Sequence, residues 1–168
     1  MQIIPYGKQE ITEEDIKAVV DVLKSDYLTQ GPKILEFEQA FASYVGSDYA
    51  VAVSNGTTGL HLAIIAMGIK EGDKVITTPI TFAASANCVE YSAGEVVFSD
   101  IDSRTFLIDL DKLEILLKSV PSGTYKGVIP VHFAGLSVDM ERLRKITNRY
   151  DIWIIEDACH APGSCFTD

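Results

Sequence analysis

Ile152-Trp153-Ile154-Ile155-Glu156-Asp157-Ala158-Cys159-His160-Ala161-Pro162-Gly163-Ser164 is the stretch that decides the fold. Four apolar residues run without alternation and end abruptly in two carboxylates, with a histidine three residues after the second. A run this apolar reads as a strand buried on both faces, the kind found in parallel sheets covered by helices. In such sheets ligands bind just beyond the carboxyl ends of the strands. Asp157 and His160 are therefore candidates for a ligand edge.

Working outward, the chain alternates helical and extended patterns. Thr12-Glu13-Glu14-Asp15 opens a helix, with Thr12 as cap and acids at the positive end, followed by Ile16, Val19, Val20 and Leu23 at helical spacing. A polar turn, Ser25 to Pro32, leads to a second helix from about Ile34 to Tyr44, stopped by Gly46. Strands are expected at Tyr49–Val53, Lys74–Thr78, Val96–Phe98, Gly127–Val131 and from Ile152. Helices are expected at Leu60–Met67, Phe82–Tyr91, Leu110–Leu117 and Met140–Tyr150. Strand and helix alternate, so the class is α/β with a mainly parallel sheet and helices on both faces. No internal repeat, low-complexity tract or linker interrupts the pattern.

Composition narrows the function. The 168 residues are 47% hydrophobic, enough for a real core, and 23% charged. A net charge of −10 argues against nucleic acid as a partner, since phosphate backbones are met by Lys/Arg surfaces. It leaves room for one anionic small molecule held by backbone amides at a helix terminus. No apolar run is long enough for a membrane span, and Met1-Gln2-Ile3-Ile4-Pro5-Tyr6 is not a signal peptide. Cys88, Cys159 and Cys165 show no CxxC spacing, which argues against zinc or a disulfide framework and for a reducing cytoplasm. Cys159 beside His160 has the look of a nucleophile pair, but a small buried filler is the ordinary reading.

Three strand-to-helix junctions carry chemistry. Ser54-Asn55-Gly56-Thr57-Thr58-Gly59 has the parts of a phosphate cradle: a tight-turn glycine, two hydroxyls and a following helix N-terminus. It is neither a P-loop nor a G-x-G-x-x-G fingerprint, and as a lone motif it reads as an N-cap turn. Thr78-Pro79-Ile80-Thr81-Phe82 offers a flat aromatic, Phe82, which is either core or a stacking face. Glu156-Asp157-Ala158-Cys159-His160 offers Asp157, either an N-cap, a salt-bridged surface acid or a functional carboxylate. Phosphate donors, a flat ring and a carboxylate together are what pyridoxal 5'-phosphate requires: a seat for its phosphate, a stacking face for its pyridine, and an acid to keep the ring nitrogen protonated.

At these residues the chain resembles the fold-type I pyridoxal-phosphate enzymes, specifically the DegT-like nucleotide-sugar aminotransferases. The landmarks are Leu28-Thr29-Gln30-Gly31, Ser54-Asn55-Gly56-Thr57-Thr58, Thr78-Pro79-Ile80-Thr81-Phe82, Val131-His132-Phe133-Ala134-Gly135 and Glu156 to Ser164, five ordered blocks over essentially all 168 residues. Pro5-Tyr6-Gly7, Leu28 to Gly31 and His160 look most like the pseudaminic-acid branch, whose members aminate C4 of a UDP-linked 4-keto-6-deoxy-N-acetylhexosamine with glutamate as donor.

The resemblance implies that Gly56, Thr57 and Thr58 hold the cofactor phosphate, Phe82 stacks on the pyridine and Asp157 pairs with its nitrogen. It places His160 beside the phenolic oxygen, and Tyr6, Asp26, Tyr27, Leu28, Thr29 and Asn55 near the substrate. The family's Schiff-base lysine is expected beyond Asp168, with the rest of the large domain and a small C-terminal domain. Lys70, Lys74 and Lys126 fit no such role. On this reading the chain is the N-terminal segment and most of the cofactor domain of a cytoplasmic, homodimeric enzyme, and is inactive alone. A keto-sugar dehydratase, or a non-catalytic regulatory or binding protein on the same fold, are the alternatives.

Overall fold

The computed structural model describes residues 8–165, so Tyr6 lies outside the described residues. The chain forms two compact units, one ending at Ala52 and the other beginning at Val53.

The first unit holds α1 (Glu13–Leu23) and α2 (Pro32–Val45). The start of α1 is a capping box: the Asp15 amide donates to the Thr12 hydroxyl, and the Thr12 amide donates to Asp15 Oδ2 at 2.8 Å. Pro32 sits in the first turn of α2, where its missing N–H costs nothing, and Gly46 ends the helix in the left-handed region, φ 70°. Neither helix has its own core. α1 buries no residue and α2 only Ala42, while Ile16, Val19, Leu23, Leu35 and Phe37 are exposed.

Tyr49–Val53 is not a strand. Its β-prone side chains find no ladder partner among the described residues, Tyr49 and Val51 are 85% and 76% exposed, and the Ala52 amide donates to the Glu38 carboxylate at 2.8 Å. A β pattern becomes a strand only when a neighbour takes up its backbone groups.

The second unit runs α3 (Gly56–Ala66), β1 (Lys74–Thr77), α4 (Ala84–Glu90), β2 (Glu95–Phe98), α5 (Leu110–Lys118), β3 (Tyr125–Val128), α6 (Met140–Tyr150) and β4 (Trp153–Ile154). The four strands are all parallel in the order β2-β1-β3-β4, with Ile76 opposite Val97 and Val128, and Val128 opposite Ile154. Successive strand residues point to opposite faces. Val75 accordingly packs with Leu60, Ile64, Ala84 and Val89 of α3 and α4, and Ile76 with Leu113, Leu117, Leu143 and Ile146 of α5 and α6. The expected parallel sheet with helices on both faces is what forms.

Several boundaries depart from the sequence reading. β4 is an edge strand of two residues, and Trp153, Ile154 and Ile155 are half-buried rather than enclosed on both faces. The last strand of the sheet has a neighbour on one side only, which leaves its apolar run partly open. α3 starts at Gly56, earlier than Leu60, because Asn55 caps it. Among the described residues no helix is long and apolar enough to cross a membrane, and no cluster of His, Cys, Asp or Glu could hold a metal.

Candidate functional site

A cleft of about 240 Å³ opens in the second unit, where β1 and β4 end and α3 begins. Gly56, Thr57, Phe82, Asp157 and His160 line it together, so residues from three separate junctions share one site.

The α3 end is shaped by Asn55. Its side-chain oxygen accepts from the Thr58 amide at 2.9 Å and from the Thr58 hydroxyl at 3.1 Å. Thr58 thus has both donors committed within the cap and does not line the cleft. The amides of Gly56 and Thr57 have no partner among the described residues and lie at the positive end of the helix. Gly56 is helical, not a turn residue. Its missing side chain matters because a Cβ there would lie 2.7 Å from Cys159 Sγ. The glycine lets the Asp157–His160 loop close against the helix start.

Phe82 stands at the lip of the cleft, 76% exposed, two residues before α4. α4 begins at Ala84 rather than near Phe82 and has no side-chain cap. A large aromatic this exposed is not core, which removes one of the two readings of Phe82.

Asp157 is 6% exposed. Its backbone is clamped: the Asp157 amide donates to Pro130 O at 2.9 Å, and the His132 amide donates back to Asp157 O at 3.0 Å, so the parallel ladder continues past β4. Its carboxylate accepts from Ser85 Oγ at 2.6 Å on Oδ2 and from the Cys159 amide at 3.3 Å on Oδ1. Such a buried acid is retained only with donors of this kind.

Beside it, His132 is also buried. Its Nδ1 accepts from the Val138 amide at 3.1 Å, which leaves Nε2 to carry the proton and donate to Glu156 Oε2 at 3.0 Å. That hydrogen bond holds the Glu156 carboxyl below the usual range, against the opposing effect of burial. Burial pushes the Cys159 thiol up to about 11, and the neighbouring Asp157 carboxylate adds to the effect. At neutral pH Cys159 is a thiol, and the nucleophile reading fails.

The substrate candidates are placed separately. Asn55 is the α3 cap. Asp26, Tyr27, Leu28 and Thr29 belong to the first unit, where Tyr27 and Leu28 line an apolar cleft of about 210 Å³ with Val22 and Pro32. Among the described residues no lysine lines the site cleft. Lys74 and Lys126 sit toward the amino ends of β1 and β3, paired with Glu95 at 3.1 Å and Asp73 at 3.8 Å. Ser85 and His132 were not singled out by sequence reasoning, since Asp157 and Glu156 lie 72 and 24 residues from them along the chain, and Thr81 enters only through Ser85.

Residues 9–168 match the model of the DegT/DnrJ/EryC1/StrS aminotransferase family. The chain belongs to this family. It is 45% identical over 161 residues to the uncharacterized protein MJ1066 of Methanocaldococcus jannaschii, covering 96% of this chain and 41% of that one. It is 37% identical over 162 residues to the UDP-4-amino-4-deoxy-L-arabinose–oxoglutarate aminotransferase of Shewanella sediminis, covering 96% and 41%. The solved structure of a GDP-4-keto-6-deoxymannose-3-dehydratase, with a trapped PLP–glutamate geminal diamine, superimposes with a TM-score of 0.89 at 29% identity, over 98% of this chain and 43% of that one. The chain spans about two fifths of the length of the curated relatives it matches.

Pyridoxal 5'-phosphate is the cofactor of the family. The cleft fits it on its own chemistry: two amides without partners at a helix N-terminus, an exposed ring at the lip and a buried carboxylate on the wall.

Proposed function

We propose that the chain forms the cofactor-binding part of an enzyme that moves an amino group from glutamate to C4 of a UDP-linked 4-keto-6-deoxy-N-acetylhexosamine, in pseudaminic acid biosynthesis. The observation that carries the reading is Asp157, a buried carboxylate in a cleft that also holds the α3 N-terminus and Phe82.

When bound, the cofactor would supply a carbonyl that condenses with amines and a ring that takes up electron density from the carbon that loses its proton. The chain's residues do the rest. Gly56 and Thr57 amides and the Thr57 hydroxyl seat the phosphate, with Thr58 holding the cap that aims them. Phe82 would cover the ring face, Asp157 would hold a proton on the ring nitrogen, and His160 would meet the phenolic oxygen. The motif resemblance assigns the amine that would anchor the cofactor to a family lysine that no lysine of this chain matches. Tyr6, Asp26 to Thr29 and Asn55 are assigned to the sugar nucleotide by the motif resemblance, which also supports a cytoplasmic homodimer. UDP gains support from the Shewanella relative's name, and glutamate from the PLP–glutamate adduct named for the dehydratase structure.

A second reading has an observation in its favour: the structure with TM-score 0.89 is a dehydratase. The residue at the lysine position separates the two, lysine for transamination and histidine for dehydration.

The complete protein, given each 4-keto sugar nucleotide with glutamate, is expected to release 2-oxoglutarate with the highest kcat/KM on the UDP-linked N-acetylhexosamine. Preference for a GDP- or dTDP-linked sugar would remove the branch assignment. Turnover of none, despite a lysine in place, would favour the non-catalytic reading.

A further inference from the structure

We infer that Ser85 is a positioning residue for Asp157, backed by the half-buried Thr81 in a hydroxyl relay that fixes the carboxylate toward the cofactor's ring nitrogen. The inference rests on the reading of the cleft as the pyridoxal-phosphate site.

Ser85 is fully buried in the first turn of α4, 72 residues from Asp157 along the chain, and its Oγ lies 2.6 Å from Asp157 Oδ2. Thr81 Oγ1 lies 2.6 Å from the same Ser85 Oγ. An ionised carboxylate only accepts, and a serine hydroxyl has one proton. Ser85 therefore donates to Asp157, and Thr81 donates to Ser85. The competing acceptor for the Ser85 proton, Phe82 O, is longer at 3.4 Å. The order is Thr81 to Ser85 to Asp157, each donor polarising the next.

The Cys159 amide holds the other carboxylate oxygen at 3.3 Å. Asp157 is thus gripped on both oxygens, from α4 and from its own loop, and each oxygen keeps a second lone pair. Phe82, three residues before Ser85, lines the same cleft as Asp157. One short segment, 81–85, sets both the carboxylate and the stacking ring. Without Ser85 the carboxylate is free to turn, and it must be ordered again each time a ring nitrogen arrives.

A buried serine could equally serve packing alone, so the test must read the ring nitrogen. The complete protein is titrated with pyridoxamine 5'-phosphate, which needs no lysine to bind, and with its 1-deaza analogue, in which C–H replaces the ring nitrogen. Ser85→Ala is expected to weaken pyridoxamine phosphate by roughly tenfold, the scale of one hydrogen bond to a charged group, and to leave the analogue unchanged. Ser85→Thr, which restores the hydroxyl, should recover the loss. Placed on Asp157→Asn, Ser85→Ala should add nothing.

If Ser85→Ala does not fold, Thr81→Val, which keeps the side chain's shape and removes the first donor, carries the same nitrogen-specific prediction at smaller size. Equal weakening of both ligands, no weakening, or a full extra loss on Asp157→Asn overturns the relay. Failure of the parent to bind pyridoxamine phosphate overturns the reading of the cleft and the relay with it. A parent that binds but shows no nitrogen-specific loss overturns the relay alone.

Discussion

Asp157 and Cys159 stand two residues apart in the same cleft and meet different surroundings. Asp157 has two donors on its carboxylate; Cys159 has a thiol partly screened from water and a carboxylate beside it, both of which disfavour its anion. The thiol is exposed to reagents yet held up to about 11 from an ordinary 9.0. The thiolate is the reactive form, so two pH units mean roughly a hundredfold less of it at neutral pH. Iodoacetamide at pH 7.5 should label Cys159 about a hundredfold more slowly in the folded chain than in denaturant, with the rate still rising above pH 10. Equal rates, measured by peptide mass spectrometry, would restore the nucleophile reading. For Asp157, the isosteric Asp157→Asn should keep the fold, because an amide oxygen still accepts from Ser85. In the complete enzyme it should lose roughly tenfold to a thousandfold in kcat, since a neutral amide cannot hold a proton on the ring nitrogen. A rate within a factor of about two of the parent would take Asp157 out of the cofactor site.

Between β3 and β4, Gly127 pairs with Trp153, and the indole lies directly over the glycine. A Cβ at 127 would overlap several carbons of that ring, so the bulky indole must shift to make room. Gly127→Ala should therefore cost about 1–3 kcal/mol in denaturant unfolding, and Trp153→Leu on that background should return part of it. A stability unchanged by Gly127→Ala would mean that Trp153 is not held there. The contrast with Gly56 is instructive, because its obstruction is a single sulfur at the tip of Cys159, which can rotate.

These two elements also show what sequence can reveal. Helices announced by local chemistry were legible: the Thr12 cap with its acids and the Gly46 stop act within a turn of the residues they control. Strands depend on neighbours, so Tyr49–Val53, with no ladder partner, and β4, with one, could not be judged from their own residues. The same holds in the site. Gly56, Phe82 and Asp157 stood out as residue types at junctions, but the Ser85–Asp157 bond spans 72 residues and leaves no local trace. The Asn55 cap that starts α3 at Gly56 was within reach of a local reading, since asparagine before a helical pattern is a cap signal.

Across the whole chain, buried apolar surface is distributed very unevenly. The second unit has two clusters, one on each face of its sheet, that include Val75, Ile76, Leu113, Val128 and Leu143 with essentially no exposure. The first unit offers α1 with nothing buried and α2 with Ala42 alone. Isolated helices of 11 and 14 residues are marginal in water, whatever their caps contribute. Local opening in the first unit should thus need little free energy, while opening β1 or β3 requires the core to come apart. Hydrogen exchange followed by mass spectrometry on the chain should find α1 and α2 exchanging orders of magnitude faster than β1, β3 and the amides at Ile129 and Asp157. The residues assigned to the sugar nucleotide, Asp26 to Thr29, lie between those two helices, so they should exchange with them. If α1 and α2 were as protected as the sheet, their apolar residues would have to be buried in solution, and the exposure of Ile16, Val19 and Phe37 would not describe the chain as it exists there.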